Sequence, residues 1–225
     1  MAKKGLLVLA LMVFITGMAF AEPRNALSVD IGPTIVGFSV GAIGNMITDD
    51  DLFSSGFGIA AQYERYLSSS LSLAFRFAYL GFRGGGSSNN DTLYMDFTSW
   101  SAEGNVRLFP FSDPFFLNAM VGFASLSTDF SGSAVTNNFS VDRNYIKLGG
   151  LIGWHFVLGD GPGGLFFEPS FGWAFGIRLG DPVGDVIAAN TRGGTSQEFE
   201  DAYRLAEQFV LIGGPRVRLA FGWRF

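Results

Sequence analysis

Apolar and polar residues alternate along most of this chain with a period of two. The clearest stretch covers residues 165–179, where large apolar side chains alternate with small or charged ones. Successive side chains of a β-strand point to opposite faces of its sheet, so such a stretch has one apolar and one polar face. The period therefore predicts strands, because an amphipathic helix repeats its apolar positions every three to four residues.

Eight alternating segments separated by turn residues follow one another along the chain. They cover residues 26–41, 55–67, 70–82, 94–109, 115–127, 144–158, 165–179 and 209–225. A change of register near Val36 in the first segment indicates a β-bulge. Short connections (68–69, 110–114 and 159–164) alternate with long ones (42–54, 83–93, 128–143 and 180–208). The pattern predicts an eight-stranded, up-and-down antiparallel sheet with both termini at the end of the short turns.

The composition indicates the environment in which this sheet is expected to lie. Hydrophobic residues make up 48% of the chain and aromatic residues 16%, with 25 Phe and 31 Gly, yet the apolar residues of 22–225 are dispersed among polar ones. Abundant aromatic and glycine residues in alternating strands are typical of barrels that cross a membrane. The predicted fold class is all-β, a closed eight-stranded transmembrane β-barrel formed by residues 22–225.

The first 21 residues have the pattern of a cleaved secretory signal peptide. Lys3 and Lys4 precede an apolar run over 5–20, and Ala19-Phe20-Ala21 forms a small-residue cleavage site. A retained membrane anchor is the alternative, but the run falls short of the roughly 20 residues that a spanning helix needs. The chain has no cysteine, which excludes a lipoprotein anchor, disulfides and thiolate sites.

The chain ends on Phe221-Gly222-Trp223-Arg224-Phe225, an alternating strand whose last residue is aromatic. Together with the signal peptide and the hairpin at 63–73, this ending resembles the small bacterial outer-membrane barrels: the OmpA transmembrane domain, OmpX and OmpW. The resemblance covers the whole mature chain. It implies that Phe221, Trp223 and Phe225 form the signal read by the barrel-assembly machinery, and that the protein lies in the cell outer membrane with both termini periplasmic.

Charged residues collect on the polar faces of the predicted strands. Charge on a lipid-facing surface is costly, so these side chains are expected inside a narrow barrel, paired with one another. They are Asp30, Glu64, Arg76, Glu103, Arg107, Lys147, Glu168, Arg178, Arg216 and Arg218. Counting from the turn at Ser69 places Gln62 opposite Arg76 and predicts a Glu64–Arg76–Glu103–Arg107 network. Its role is either a structural plug that fixes the strand register, which we favour, or a gate or polar conduit.

His155 is the only histidine of the chain. Counting from the turn at 159–164 places it opposite Glu168, facing inward near the periplasmic end. Ser170 lies two residues further along the same strand, so a catalytic triad can be drawn. The related lipid-modifying barrel enzymes place such groups toward the outer leaflet, so we favour a structural pair and no enzyme activity.

The long connections carry the remaining candidates. Asp49, Asp50 and Asp51 are weak candidates for a calcium site, against a solvated loop tip. The segment Thr195-Ser196-Gln197-Glu198 fits a capping box, so a short amphipathic helix is expected to pack on the barrel rim. Met95 and Phe97 are expected to face inward near the outer end, which hints at an apolar pocket.

Charge and pattern together leave two functional classes open. The formal charge of −5 becomes −7 once Lys3 and Lys4 are removed, which argues against nucleic acid as a partner. The first class is a non-enzymatic membrane anchor that presents four loops for structural or surface interactions. The second is a narrow conduit for small or hydrophobic molecules, as the OmpW resemblance implies. No cofactor is expected, and the partners are outer-membrane lipid, the assembly machinery and a possible extracellular ligand of a monomer.

Overall fold

The computed structural model describes residues 25–33, 56–88, 91–111, 114–133, 135–158, 163–180, 190 and 214–225, with backbone only at 85–88, 91 and 93. Nine strands form one antiparallel sheet. They are β1 (Asn25–Asp30), β2 (Phe57–Tyr66), β3 (Leu71–Ser88), β4 (Asp91–Leu108), β5 (Phe115–Ser131), β6 (Phe139–Trp154), β7 (Phe156–Leu158), β8 (Gly164–Leu179) and β9 (Gly214–Arg224). In this described part of the chain, no helix is long and apolar enough to cross a membrane.

The sheet closes into a ring because β1 pairs with both β2 and β9, while β8 pairs with both β6 and β9. Strands β6 and β7 occupy a single place in this ring, so eight strands surround the lumen. They keep one register: Gly153 faces Ser170 and Phe156 faces Phe167. The interruption falls opposite Pro169, which has no N–H to donate to the ladder.

The stagger of the ring is the number of residues by which paired positions are displaced after one circuit of the strands. It can be read from the paired residues of neighbouring strands. Ala26 of β1 pairs directly with Arg224 of β9. Followed the other way round, the same level runs through Glu64, Ala74, Asn105, Met120, Gly149, Ala174 and Gly214. Gly214 and Arg224 are ten positions apart on one strand. A ten-residue stagger over eight strands, at about 3.3 Å per residue and about 4.8 Å between strands, corresponds to a strand tilt of about 40°.

The two ends of the ring differ. At one end, here called the turn end, Asn25 and Phe225 exchange backbone hydrogen bonds of 2.9 and 2.8 Å. The hairpin turn at 67–70 lies at this end, as do the short β4–β5 and β7–β8 connections. The predicted long connections join strand ends that lie at the opposite, far end. Two of them are shorter than predicted: β3 and β4 pair up to Ser88 and Asp91, and β5 and β6 up to Phe130 and Phe139.

The predictions of long loops at 83–93 and 128–143 are therefore wrong, because both segments are mostly strand. Glycine and serine at 84–88 suggested a loop, but pairing simply continues from the regular part of the hairpin. Strand β1 ends at Asp30, earlier than the predicted 26–41. The bulge near Val36, the signal peptide, the Asp49–Asp51 cluster and the capped helix at Thr195 lie outside the described residues.

The outward side chains form a continuous apolar belt around the ring. In β3 the outward residues Leu73, Phe75 and Phe77 are about half exposed, whereas the inward residues between them are buried. At the tilt given above and about 3.3 Å per residue, the belt is about 20–25 Å tall along the ring axis. Aromatic side chains lie at both of its borders: Phe115, Trp154, Phe156, Phe167 and Trp223 near the turn end, and Phe57, Tyr79, Trp100, Phe123 and Phe175 toward the far end.

Strands β3 to β6 continue beyond this belt as an extension, formed by residues 80–88, 91–99, 124–131 and 139–145. The polarity of the two faces is exchanged there. Outward residues are charged or hydroxylated: Arg83 donates to both oxygens of Asp96 at 2.5 and 2.7 Å, and Ser127 donates to Asp142 at 2.6 Å. Inward residues are mostly apolar and buried; Ser99, Thr128 and Arg143 are the polar residues among them. This exchange places a conventional hydrophobic core above a ring with a polar interior.

Candidate functional site

The lumen is filled in layers, and the first layer closes the turn end. Tyr66, Phe109, Phe116 and Phe166 are buried there around His155. The His155 ring lies 4.5 Å from that of Phe166, centroid to centroid. Inward-facing glycines make room for these rings: a Cβ at Gly153 would lie 2.4 Å from Phe116, and one at Gly222 would lie 2.3 Å from Phe166. We call this layer the aromatic plug.

The next layer is an ionic group, the lower cluster, centred on Arg107. Its guanidinium donates at 2.6 and 2.8 Å to the two oxygens of Glu168, and at 2.9 Å to Glu64. His155 Nδ1 lies 3.1 Å from Glu168, and the hydroxyl of Ser72 donates to Glu64. All of these side chains are almost fully buried. Arg107 thus bridges β2 and β8 across the lumen, and its guanidinium also lies 4.6 Å from the Phe116 ring centroid.

The third layer, the upper cluster, is centred on Glu103. Its carboxylate accepts hydrogen bonds from Lys147 at 2.5 Å, Arg218 at 2.8 Å and Arg76 at 3.1 Å. Arg76 also donates to Asp30 at 2.8 Å. The cluster therefore joins side chains of β1, β3, β4, β6 and β9. Among the described residues, no ion pair connects the upper and lower clusters.

A cavity of about 50 Å³ adjoins the upper cluster on the far-end side. Its polar lining includes Arg76, Glu103, Lys147, Arg216 and Arg218, together with the hydroxyl-bearing Ser99 and Ser101. Its apolar lining includes Ala78 and Leu80, which lead into the extension. The cavity has room for a few water-sized groups and is far smaller than the pockets that hold drug-sized ligands.

The last layer is the apolar core of the extension, here called the far core. Phe82 stacks on Phe97 at 4.7 Å, and Phe130 stacks on Phe139 at 4.6 Å. The buried members are Leu80, Phe82, Met95, Phe97, Ala124, Leu126, Phe130, Val135, Val141 and Tyr145. The far core covers the inner face of β3 to β6, and it includes Met95 and Phe97, the two residues predicted to face inward near this end.

The predicted interior residues all lie on inward-facing positions, but their partners differ from the predicted ones. Gln62 faces Arg76 as expected from the turn count. The single four-residue network divides into two clusters, because Arg107 pairs with Glu64 and Glu168, and Arg76 with Asp30 and Glu103. The predicted His155–Glu168 contact is present. Arg178 lies nearer the far end, opposite Tyr145.

Sequence reasoning missed the central roles of Asp30 and Arg218 and the contact between Arg107 and Glu168. These contacts cross the lumen between strands that are not neighbours. The ten-residue stagger determines which side chains meet across the lumen. The stagger can be counted only when the register between β1 and β9 is known.

The lower cluster lacks the geometry of an acyl-transfer triad. The hydroxyl of Ser170 and Nε2 of His155 are both buried, and neither has a hydrogen-bond partner among the described residues. Glu168 is bound to Arg107 through both oxygens, so it already has a cation to neutralise it. Within the described ranges, no group of three or more His, Asp or Glu side chains is arranged to hold a metal ion.

Comparisons with known proteins add a resemblance in architecture. No protein-family model matches the chain, and no curated protein is similar to it in sequence. Among solved structures, it is similar to Ail, the attachment invasion locus protein of Yersinia pestis, in a complex with the heparin analogue sucrose octasulfate. The match covers 91% of this chain and 100% of that one, at 11% identity and a TM-score of 0.47.

Proposed function

We propose that the protein is an integral outer-membrane β-barrel without enzyme activity, and that it anchors a surface-exposed far end in the membrane. The observation that carries this proposal is the apolar belt. A membrane-spanning barrel needs an outward apolar band about 25 Å tall with aromatic residues at both interfaces, and the belt has both features. In a soluble protein, so large an exposed apolar surface would promote aggregation.

The same geometry supports an orientation with both termini in the periplasm. Short turns are typical of the periplasmic side of such barrels, and long connections of the outer side. The extension supports this choice, because its outward face is polar and suits water above the membrane. The signal peptide pattern over residues 1–21 and the alternating aromatic residues Phe221, Trp223 and Phe225 agree with export and assembly in the outer membrane.

The filled lumen favours an anchor over a conduit. A path through the ring would have to cross the aromatic plug and the two ionic clusters. The described lumen has room for a few waters in the cavity next to the upper cluster. The candidate functions that remain belong to the far end, where a ligand or a neighbouring cell could be met by the connections over 31–56 and 180–213.

Refolded protein in planar bilayers tests the anchor against the conduit. We expect no stable single-channel conductance, while a wide porin under the same conditions gives its normal steps. Membrane insertion is verified separately, by the heat-dependent shift in gel mobility that folded barrels give. A reproducible conductance that disappears when Arg107 is substituted would instead support the conduit.

Assembly and topology are tested in cells. Deletion of Phe225 removes an aromatic residue whose backbone closes the ring with Asn25, so we expect less folded protein in outer membranes. Protease added to intact cells should cut within 180–213 and leave the turn at 67–70 intact. Shortening 180–208 should leave the heat-modifiable form in place, since strand pairing holds the ring together. Cleavage at 67–70 in intact cells would invert the proposed topology.

A further inference from the structure

We propose that a groove on the outer wall of the ring holds one acyl chain of a phospholipid from the leaflet at the turn end. The inference rests on the proposed membrane location, because the occupant comes from the bilayer. It concerns the outer surface of β4, β5, β6 and β8 and is separate from the contacts inside the lumen.

The groove is a recess between large outward side chains. It has a volume of about 460 Å³. Its floor is formed by Ala119 and Gly150, which face outward and pair directly with each other. Val106 lies beside Ala119 and Trp173 lies beside Gly150 on the next strands. Two of the smallest residues are thus neighbours in a part of the wall where the surrounding outward side chains are large.

The ring itself does not require a glycine at position 150. A Cβ added there would have the backbone oxygen of Asn118 as its nearest neighbour at 3.5 Å, which is an ordinary contact. The inward Gly149 differs, since a Cβ added there would lie 2.5 Å from Met120. The pairing of β6 with β5 and β8 is regular at this point, so no bulge explains Gly150. A glycine inside a strand lowers stability and often marks a place where another molecule approaches the backbone closely.

The lining of the groove determines the chemistry of this other molecule. The side chains that face into the groove are apolar, among them Leu108, Leu117 and Phe171. Asn118 also lines it, but its side chain is 4% exposed and donates to Asn105 inside the lumen. A polar partner would lose its hydrogen bonds with water and gain no replacement from these side chains. The groove therefore suits a hydrocarbon.

The position of the groove determines the source of the hydrocarbon. A row of rings from Phe115 through Trp154 to Phe171, with centroids 6.0 and 6.1 Å apart, leads from the aromatic border at the turn end into the groove. The groove then reaches Ala119 and Gly150 in the middle of the belt. Aromatic residues mark the level of the lipid headgroups. A phospholipid whose headgroup lies at this border can place one chain along the groove, which is continuous with the surface that faces lipid.

A second copy of the chain suits the groove less well. A standard protein interface buries about 800 Å² on each partner, whereas the groove spans only two or three residues on each of four strands. A symmetric dimer would also place one groove against the other, because both copies use the same patch. The result would be a void at the centre of an interface, where packing is normally dense. A flexible acyl chain can fill the groove without leaving such a void.

The test uses refolded protein in phosphatidylcholine vesicles with a trace of the same lipid that carries a photoactivatable diazirine on one acyl chain. Cross-links at Leu117 and Phe171 are measured relative to those on β2 and β3. Gly150→Leu fills the groove and should lower this ratio about threefold, as expected from a handful of lost carbon–carbon contacts. Gly104→Leu is the matched control. Gly104 is an outward glycine of β4 that does not line the groove, and an added Cβ would lie 3.8 Å from its nearest neighbour, so the ratio should stay unchanged.

The outcomes separate this inference from the proposed function. Insertion is measured first, by the heat-dependent gel shift, and Ala119→Leu replaces Gly150→Leu if that variant does not insert. If the unmodified protein does not insert, the membrane anchor is wrong and the groove proposal falls with it. Insertion with an unchanged ratio in the groove variant would overturn the groove proposal alone, and so would an equal fall of the ratio in Gly104→Leu. Dimers in the vesicles that Gly150→Leu abolishes would also overturn it, because the occupant would then be a second copy.

Discussion

Within single strands, the part inside the belt and the part in the extension carry opposite patterns. In β5, Val121 and Phe123 face outward inside the belt, whereas Ser127 and Asp129 face outward in the extension. The inward positions change in the opposite sense, from Asn118 to Leu126. The period of two continues without a break, so the strand geometry is unchanged. What changes is which face has to meet water.

The comparison shows that the alternation of apolar and polar residues specifies a strand. Which face carries the apolar residues indicates the surroundings of that face. Below the boundary the interior is ionic and the outer surface apolar; above it the interior is apolar and the outer surface ionic. The boundary lies near Tyr79, Trp100, Phe123 and Ile146, one on each of four neighbouring strands. The far-end aromatic residues lie at that same level, as expected for a membrane interface.

The largest effect is expected from the interior of the belt. Arg107→Met leaves Glu64 and Glu168 buried without their shared cation, and breaking a buried pair in this way costs about 3–5 kcal/mol. The matched change in the extension, Arg83→Gln, disrupts an exposed pair and should leave stability nearly unchanged, because water screens such pairs. Urea unfolding in lipid vesicles measures both. Similar costs for the two variants would show that the lower cluster is not buried as described.

The far core should respond as a conventional hydrophobic core. Phe97 is 2% exposed and stacks on Phe82, so Phe97→Ala removes a large buried side chain. Such truncations cost about 3–5 kcal/mol when the remaining structure cannot collapse into the space. The loss should appear as faster hydrogen exchange in the extension, with β1 and β9 unaffected. Unchanged exchange in β3–β6 would mean that this core does not stabilise the extension.

The stability cost of a positive charge on the outer face should differ between the two regions of one strand. Ala119→Arg places the charge midway between Phe115 and Phe123 within the belt, where about 2–4 kcal/mol is expected for a midplane position. Ser127→Arg places the same charge on the same face of β5, in the extension, where it meets water and should change stability by less than about 0.5 kcal/mol. Unfolding in vesicles gives both values. Equal costs would remove the distinction between belt and extension.

The smallest effect is expected at the turn end. His155→Ala removes one hydrogen bond to Glu168, which keeps both contacts with Arg107. We expect a loss of about 1 kcal/mol from that bond, with a further contribution from the cavity left among the rings. Lipid composition should stay unchanged in cells that produce the variant. A change in lipid acylation relative to cells with the unmodified protein would instead support an enzymatic role.

Much of this architecture follows from the sequence, and the limits have identifiable causes. The strand period placed the inward and outward faces correctly in β2, β3 and β8, because a buried polar face and an apolar surface are both local patterns. The part of the extension at 83–93 was missed because its outward residues are polar, its inward residues are apolar, and its glycines suggest a loop. The partners of Arg76 and Arg107 were missed because they depend on closure of the ring.

The central claim is that one face of each long strand passes from hydrocarbon to water at a defined residue. The chain has no cysteine, so single cysteines can be placed at 117, 119, 121, 123, 125, 127 and 129 of β5 and spin-labelled. In vesicles, labels up to 123 should be relaxed mainly by oxygen, and labels from 125 onward by a water-soluble nickel complex. Uniform access to the nickel complex along all seven positions would contradict the account.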